Sequence, residues 1–246
     1  MPLKTSSYSV LTNIYNHIMK RVKYDLWADY LFSIIEPYIP DEYIALELGA
    51  GNLNFTNCFH NYLQDIIATD LSIAMLNSDK KNLFPKVCCN MVNLPFFMEF
   101  DLIYSTFDSV NYLTSKKKLL QHFMEVNRCL TVEGIFAFDA SLEKNSLKHV
   151  REGNKKGVCN GYHYTQKSEY FSKTLIHKNS FEIYADDKIV FREIHRQKIY
   201  PFETYFELLD RAGLYVVECY DAFKYKEGTA NSERIQFIVK RKKQVC

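Results

Sequence analysis

Paired cysteines, a charge imbalance and long apolar runs are all missing from this 246-residue chain. The seven cysteines are scattered and none forms a Cys-x-x-Cys pair, which argues against a disulfide framework and against a zinc site. No stretch reaches 18 apolar residues, and the N-terminus has no apolar core of a signal peptide. We therefore expect a cytoplasmic protein with free thiols, without a bound metal and without a membrane span.

Charge and composition narrow the class of partner. The formal net charge is only +2, so there is no electrostatic case for binding nucleic acid or an anionic membrane. Tryptophan is scarce, with one residue, whereas 18 Tyr and 18 Phe are present. Such aromatics either fill a core or line the walls of a small-molecule pocket. We expect one elaborated domain, a monomer or homodimer, whose partner is a small molecule.

Glycine is also scarce, yet two of the eight glycines stand close together after an apolar run. The run ends at Glu47, and Gly49 and Gly51 follow before a segment that can start a helix. A side chain at either glycine would block the turn and any ligand lying against the backbone. A second predicted strand ends at Asp70, close to the ~20-residue offset at which a carboxylate accepts hydrogen bonds from a ribose. The pattern predicts a nucleoside-binding crevice at the carboxyl ends of parallel strands.

The identity of the nucleoside follows from what surrounds the turn. A dinucleotide site would have a third glycine where Asn54 stands, and no Gly-Lys-Ser or Gly-Lys-Thr phosphate loop is present. Glu47 would repel a phosphate but suits a cationic amine. S-adenosylmethionine fits, because it offers a ribose to Asp70, an ammonium group to Glu47 and no phosphate. An ordinary strand–turn–helix connection, a nicotinamide-dependent oxidoreductase and a non-catalytic cofactor-binding protein remain as alternatives.

Residues 47–51, together with Asp70, resemble motif I and the ribose-binding acid of the class I S-adenosylmethionine-dependent methyltransferases. The family commonly has one more glycine where this chain has Leu53. The resemblance implies an α/β fold, a Rossmann-like doubly wound sheet of seven strands. Most strands would be parallel, with an antiparallel C-terminal hairpin formed by residues 214–220 and 234–239.

The N-terminal residues resemble the helical lid of small-molecule methyltransferases. Apolar residues at helical spacing over residues 7–35 predict two helices with a break around residues 22–24. The resemblance implies that Tyr15, Tyr24 and Trp27 approach the cofactor, with Asn16 replacing an acid of the family pattern. Periodicity alone favours aromatic core residues at the two tyrosines.

The remaining cofactor contacts come from the resemblance as well. They are the turn residues, the adenine wall after the second strand, the segment after the third strand and the end of the fourth strand: Ala50, Asn52, Leu71, Met75, Asn90, Met91, Val92, Ser105, Thr106 and Phe107. Asn90 stands where the family has an acid, and its amide oxygen can accept the same hydrogen bond.

Two segments supply candidate catalytic and acceptor-binding residues. Residues 108–113 resemble a signature of the same group, in which Asp108, Asn111 and Tyr112 supply an anion, an amide and a phenol. Capping of a helix over residues 115–130 is the alternative. Farther on, a polar strand alternates Glu193, His195 and Gln197 onto one face, where His195 would be the best-placed base if that face meets the crevice. A solvent-facing polar strand is the other interpretation.

The polar strand belongs to a predicted insertion of three antiparallel strands, at residues 158–168, 174–184 and 189–199. The insertion resembles the β cap of these enzymes over the acceptor. We therefore predict a lid at 1–40, a core at 41–153 and 201–246, and a cap at 154–200. The predicted activity is methyl transfer to nitrogen or oxygen of a small molecule by in-line displacement. Its catalytic candidates are His195, Tyr112 and Asp108, and its acceptor contacts are Asn111, Tyr112 and His195.

Overall fold

The first described element is a helix that covers one face of the main sheet. The computed structural model describes residues 17–20, 22–159, 161–185 and 188–243, so Tyr15 and Asn16 lie outside the described residues. Helix α1 (Tyr24–Ile35) buries an apolar face that includes Trp27 and Leu31. It runs into a 3₁₀ turn (Glu36–Tyr38), where a proline lies near the start of the turn. The helix begins at Tyr24, which is the last residue of the break predicted at residues 22–24.

The described residues form eleven strands in two sheets. The strands are β1 (Ala45–Leu48), β2 (Ile66–Asp70), β3 (Lys86–Cys88), β4 (Phe100–Ser105), β5 (Leu130–Ser141), β6 (Lys155–Cys159), β7 (Tyr162–Phe171), β8 (Ile176–Ala185), β9 (Lys188–Lys198), β10 (Leu214–Asp221) and β11 (Arg234–Arg241). The larger sheet has the order β10-β11-β5-β4-β1-β2-β3. Strands β1 to β5 pair in parallel, and β11 pairs antiparallel with both β5 and β10. The predicted seven-stranded sheet with its C-terminal hairpin is confirmed.

Helices cover both faces of this sheet, as expected of a doubly wound fold. They are α2 (Asn54–Phe59), α3 (Ile73–Leu76), α4 (Lys116–Cys129), α5 (Glu143–Arg151) and α6 (Phe202–Arg211). Ser72 and Ser115 cap α3 and α4, each accepting a backbone N–H at 3.3 Å. Among the described residues, no helix is both long and apolar enough to cross a membrane.

The abundant aromatic residues mostly fill the two core layers. On one face, Phe138 stacks between Phe136 and Phe237, with ring centroids 4.7 and 4.8 Å apart. On the other face, Phe59 lies edge-on to Tyr104 at 5.2 Å. The core therefore accounts for much of the aromatic content that the composition left open.

The smaller sheet has four strands in the order β6-β7-β8-β9, all antiparallel. The prediction of three strands was wrong, because the stretch 158–168 is divided by a turn that contains Gly161 at φ +79°. The sequence does carry a signal for this turn, because Asn160-Gly161 is a common hairpin-turn pair, and the prediction did not use it. The other two predicted strands agree with β8 and β9 to within two residues at each end.

Candidate active site

One cavity of about 1730 Å³ extends from the turn after β1 to the inner face of the four-stranded sheet. Its walls include the carboxyl ends of β2 and β4, the lid helix α1, helix α5 and strands β7 to β9. Ligand pockets commonly measure about 300–1,000 Å³, so this cavity can hold two small molecules side by side.

The turn after β1 has the conformation that glycine permits. Gly49 and Gly51 have φ values of +75° and +58°, and a Cβ on Gly49 would lie 2.8 Å from Oγ of Ser109. Leu53 adopts φ 61° without being a glycine, so the turn keeps its shape despite the departure from the family pattern. The backbone is thereby left bare toward the cavity.

Asp70 connects this turn to the next strand. Its Oδ2 accepts the Gly51 N–H at 2.8 Å and its Oδ1 accepts the Ser72 N–H at 2.7 Å. Burial raises the pKa of Asp70, against the lowering effect of these backbone hydrogen bonds. Each carboxylate oxygen retains acceptor capacity, because an ionised carboxylate offers about four lone-pair sites. The side chain can therefore hold the turn and also accept a ribose hydroxyl.

Most of the predicted cofactor residues line this cavity. The set consists of Tyr24, Trp27, Gly49, Ala50, Gly51, Asn52, Asp70, Leu71, Met75, Asn90, Met91, Val92, Thr106 and Phe107. Oδ1 of Asn90 accepts the Val92 N–H at 3.2 Å, which orients the amide at the apolar wall. The structure thus brings together residues that lie up to 83 positions apart in the chain (Tyr24 to Phe107).

Glu47 and Ser105 do not reach the cavity wall. Glu47 is 1% exposed, and its Oε2 accepts hydrogen bonds from Thr56 Oγ1 at 2.5 Å and Tyr104 OH at 3.0 Å. Burial raises its pKa to about 7. Glu47 therefore supports the turn from behind, instead of meeting the ammonium group directly as expected. Ser105 is likewise buried outside the lining.

Asn111 is also a structural residue, and not an acceptor contact on the cavity wall. Its Nδ2 donates to the carbonyls of Ser141 at 3.2 Å and Lys198 at 2.8 Å, and its Oδ1 accepts the Ser141 N–H at 3.0 Å. Because the amide is used on both sides, it joins the segment after β4 to β5 and to the last cap strand.

The aromatic residues of the lid meet an unusual backbone turn after β4. Phe107 and Asp108 both have positive φ, at 58° and 50°. Such conformations cost about 1–3 kcal/mol each and occur where the surrounding structure holds them. Here the Phe107 ring lies 3.9 Å from the Trp27 ring and 5.3 Å from the Tyr24 ring. The turn therefore places Phe107 against the lid.

Asp108 belongs to a buried ionic network. Its Oδ1 lies 2.9 Å from Arg234 Nη2, its Oδ2 accepts from Gln197 Nε2 at 2.8 Å, and its N–H donates to Asp139 Oδ2 at 2.9 Å. Arg234 also pairs with Asp139 through Nη1 and lies over the Trp27 ring at 5.2 Å. Burial raises the pKa of Asp139 to about 6.

Asp139 and Arg234 were absent from the sequence-based site. A signal for both exists, because Asp139 lies near the carboxyl end of β5 and Arg234 begins the antiparallel β11 at the same edge of the sheet. The network joins helix α1, the seven-stranded sheet and strand β9 through Trp27, Arg234 and Gln197.

His195 faces the cavity from the last cap strand. It is 4% exposed, its Nε2 lies 3.5 Å from Glu193 Oε1, and its ring is edge-on to Tyr112 at 6.0 Å and to Phe181 at 5.6 Å. Burial lowers the pKa of His195 to about 4. The solvent-facing interpretation of this strand is therefore wrong, and the imidazole is neutral at physiological pH.

Similar proteins of known structure share this fold. A family model described as a methyltransferase domain matches residues 46–138. YqeM of Bacillus subtilis (strain 168), a protein classed as a methyltransferase by inference, is 26% identical over 250 residues, covering 97% of this chain and 98% of its own. An S-adenosylmethionine-dependent methyltransferase from Clostridium acetobutylicum ATCC 824 superimposes with a TM-score of 0.79 at 22% identity, covering 96% of this chain and 99% of its own. The sugar N-methyltransferase KedS8 from Streptoalloteichus sp ATCC 53650 gives 0.72 at 15% identity, with 99% of both chains covered.

Residues 46–138 match the methyltransferase-domain family, and the whole chain has the fold of S-adenosylmethionine-dependent methyltransferases. S-adenosylmethionine is its cofactor, so the nicotinamide alternative is set aside. The residues fit this group, because the bare backbone at Gly49 and Gly51 and the lone pairs of Asp70 suit a nucleoside without phosphates. When bound, the cofactor supplies a methyl group that is already electrophilic. Leu71, Met75 and Val92 of this methyltransferase offer an apolar wall for the base.

Proposed function

We propose that this methyltransferase transfers the methyl group to a nitrogen or oxygen atom of a small molecule enclosed beneath the cap, residues 154–200. The observation that carries the proposal is the continuous cavity, which joins the turn after β1 to polar side chains of β8 and β9. A cavity of this size can hold an acceptor beside the cofactor. The printed name of KedS8 describes a sugar N-methyltransferase, and its shared fold is consistent with a small acceptor.

Alignment is the main contribution expected from the protein. Two reactants held in a reactive geometry gain about 7–11 kcal/mol relative to free encounter. Tyr112 and His195 lie edge to face on the cavity wall, one after β4 and one on the cap. They are therefore the candidates for holding the acceptor atom in line with the methyl group.

The titratable side chains near the cavity favour nitrogen as the acceptor atom. A hydroxyl acceptor needs a general base whose pKa lies near the working pH. A pKa of about 4 makes His195 a weak base, and Asp108 is engaged by Arg234 and Gln197. A neutral amine already carries the attacking lone pair and needs only a group that orients it. His195 can do this as a neutral imidazole.

The test has a binding step and a turnover step. Calorimetry with S-adenosylhomocysteine should show binding, and incubation with methyl-labelled cofactor and a metabolite extract should give an N-methylated product by mass spectrometry. His195→Ala should slow formation of that product without changing cofactor affinity. Binding of the cofactor with no labelled product from any extract would instead support the non-catalytic alternative.

A further inference from the structure

The part of the cavity beneath the cap has a wall chemistry of its own. We define this cap chamber by residues from β7, β8, β9 and α5 that line the cavity: Gln166, Ser168, His177, Asn179, Gln197 and His149. The register pairs Ser168 with Asn179 across β7 and β8, and His177 with Gln197 across β8 and β9. Because side chains alternate along a strand, these residues share the inner face of the cap.

Formal charges at the cap chamber are either paired or exposed. Glu152 Oε2 lies 3.2 Å from Lys155 Nζ, and Asp108 is paired with Arg234. The other cationic residues along the cavity are all exposed: Lys20, Lys118, Lys156 and Arg196. The groups that define the cap chamber are therefore amides, a hydroxyl and imidazoles, and the buried carboxylate on the same face of β9, Glu193, lies 3.5 Å from His195 Nε2.

His177 is the residue of the cap chamber that indicates a ligand. It is 3% exposed and its ring interacts with the Asn179 side chain, but within the part of the chain that the structure describes its Nδ1 makes no hydrogen bond. Burial lowers its pKa, so the ring is neutral. A buried polar atom left without a partner costs about 1–3 kcal/mol. A ligand hydroxyl can donate to or accept from Nδ1, according to the tautomer, and so remove that cost.

The neighbouring amide is already oriented by the protein. Oδ1 of Asn179 accepts from Ser168 Oγ at 2.6 Å and from Gln166 Nε2 at 3.3 Å. Both bonds fix the plane of the amide, and the same side chain also interacts with the His177 ring. The cap chamber thus presents preorganised donors and acceptors instead of an apolar surface.

We propose that the cap chamber binds a neutral, hydroxyl-rich ring of the methyl acceptor, with Nδ1 of His177 hydrogen-bonded to one of its hydroxyl groups. This inference rests on the proposed function, because it takes the ligand of the chamber to be the acceptor. A site built to hydrogen-bond a hydroxyl group discriminates strongly against an analogue that lacks it. An apolar or a phosphate-bearing acceptor is the competing class.

Two matched pairs of probes test the chemistry. The full chain, saturated with S-adenosylhomocysteine, is titrated calorimetrically with D-glucosamine against cyclohexylamine and with myo-inositol against cyclohexanol. The hydroxyl-rich member of each pair should bind at least about 10-fold more tightly, the worth of one or two hydrogen bonds. Equal or tighter binding of the cyclohexyl compounds, no binding of either hydroxyl-rich probe, or binding of glucosamine 6-phosphate alone would each overturn the inference. The initial titration with S-adenosylhomocysteine tests the proposed function separately.

Substitutions at His177 connect the result to this residue. His177→Phe keeps the ring volume and removes Nδ1, so the preference for glucosamine over cyclohexylamine should fall toward one. His177→Asn keeps a polar atom near the position of Nδ1 and should retain the preference. The affinity for S-adenosylhomocysteine should be the same in all three proteins, and melting temperatures report whether each is folded. An unchanged preference in a folded His177→Phe protein would show that His177 packs in the chamber without binding the ligand.

Discussion

Asp108 and Arg234 lie 126 positions apart in the chain, and yet Oδ1 of one is 2.9 Å from Nη2 of the other. The same guanidinium pairs with Asp139, whose carboxylate accepts the backbone N–H of Asp108. One largely buried cation therefore balances two carboxylates beside a strained turn, and that of Asp139 is completely buried. Removing one partner of a buried ion pair leaves an uncompensated charge, which costs far more than the pair itself contributes.

Arg234→Met should destabilise the protein by about 3–5 kcal/mol, because two carboxylates would then share a buried site without a cation. Urea unfolding measures the change. Arg211→Met is the matched control, since the Arg211 side chain is 57% exposed and lies 3.5 Å from Glu207. That surface pair should contribute at most about 1 kcal/mol. Equal losses in the two variants would show that the network carries no special stability.

The cofactor-binding residues could be predicted from their spacing in the sequence, whereas the ionic network could not. Gly49, Gly51 and Asp70 are encoded within a strand–turn–helix–strand unit, where chain geometry fixes the distance between turn and acid. Arg234 approaches from an antiparallel strand at the far end of the chain, and no local pattern specifies its partner. Only the strand order of the assembled sheet brings it to Asp108.

Among the described residues, the predicted site residues that do not line the cavity are Glu47, Ser105 and Asn111. Glu47 was assigned to the cofactor because a carboxylate beside the turn suits a cationic amine, and Asn111 to the acceptor because residues 108–113 resemble a family signature. Glu47 and Asn111 are instead hydrogen-bonded to neighbours from distant segments. The Tyr104 hydroxyl donates to Glu47, and the Asn111 amide donates to the backbone carbonyl of Lys198. Sequence indicates that a polar group is near the site, but the side-chain partners decide whether it remains available to a ligand. The Gly161 turn was missed although Asn160-Gly161 is a common hairpin-turn pair, because the stretch was read only as one alternating strand.

Glu47 should make stability fall as pH rises from about 4.5 to 7. Its pKa is raised to about 7 by burial, above the value of 4.5 for an exposed glutamate. The folded state then holds a proton that the unfolded state has released, so each step up in pH within this window favours unfolding. The full difference amounts to about 3 kcal/mol, and it is absent below the window and complete above it.

Unfolding in urea at pH 4.5 and pH 8 measures this effect as the difference between wild type and Glu47→Gln. The glutamine cannot titrate, so the variant should lose about 3 kcal/mol less than wild type across the window. Glu133→Gln, at a position whose side chain is 72% exposed, serves as the control and should follow wild type. Parallel pH profiles for wild type and Glu47→Gln would contradict the assignment.

Leu53→Gly should lower stability by about 1–3 kcal/mol, although it restores the glycine of the family pattern. Releasing the left-handed backbone at φ 61° gains about 1–2 kcal/mol. Removing a fully buried leucine side chain costs about 2–5 kcal/mol, so packing outweighs strain. Asn82→Gly, at an exposed position with φ 56°, should change the unfolding free energy by less than about 1 kcal/mol. A Leu53→Gly protein as stable as wild type would mean that the turn, and not the core, governs this position.

Asp70→Ala should weaken binding of S-adenosylhomocysteine by about 1.5–3 kcal/mol, the worth of a hydrogen bond to a charged group. Asp70 also accepts the Gly51 and Ser72 N–H groups, so unfolding without ligand must be measured in parallel to separate a loosened turn from a lost ribose contact. Asp101→Ala is the matched control. Asp101 accepts the Ile44 N–H at 3.0 Å at the amino-terminal ends of the parallel strands, where no nucleoside is expected. Its removal should leave the affinity unchanged, and an equal loss in both variants would mean that sheet stability, and not the carboxylate at the crevice, determines how tightly the nucleoside binds.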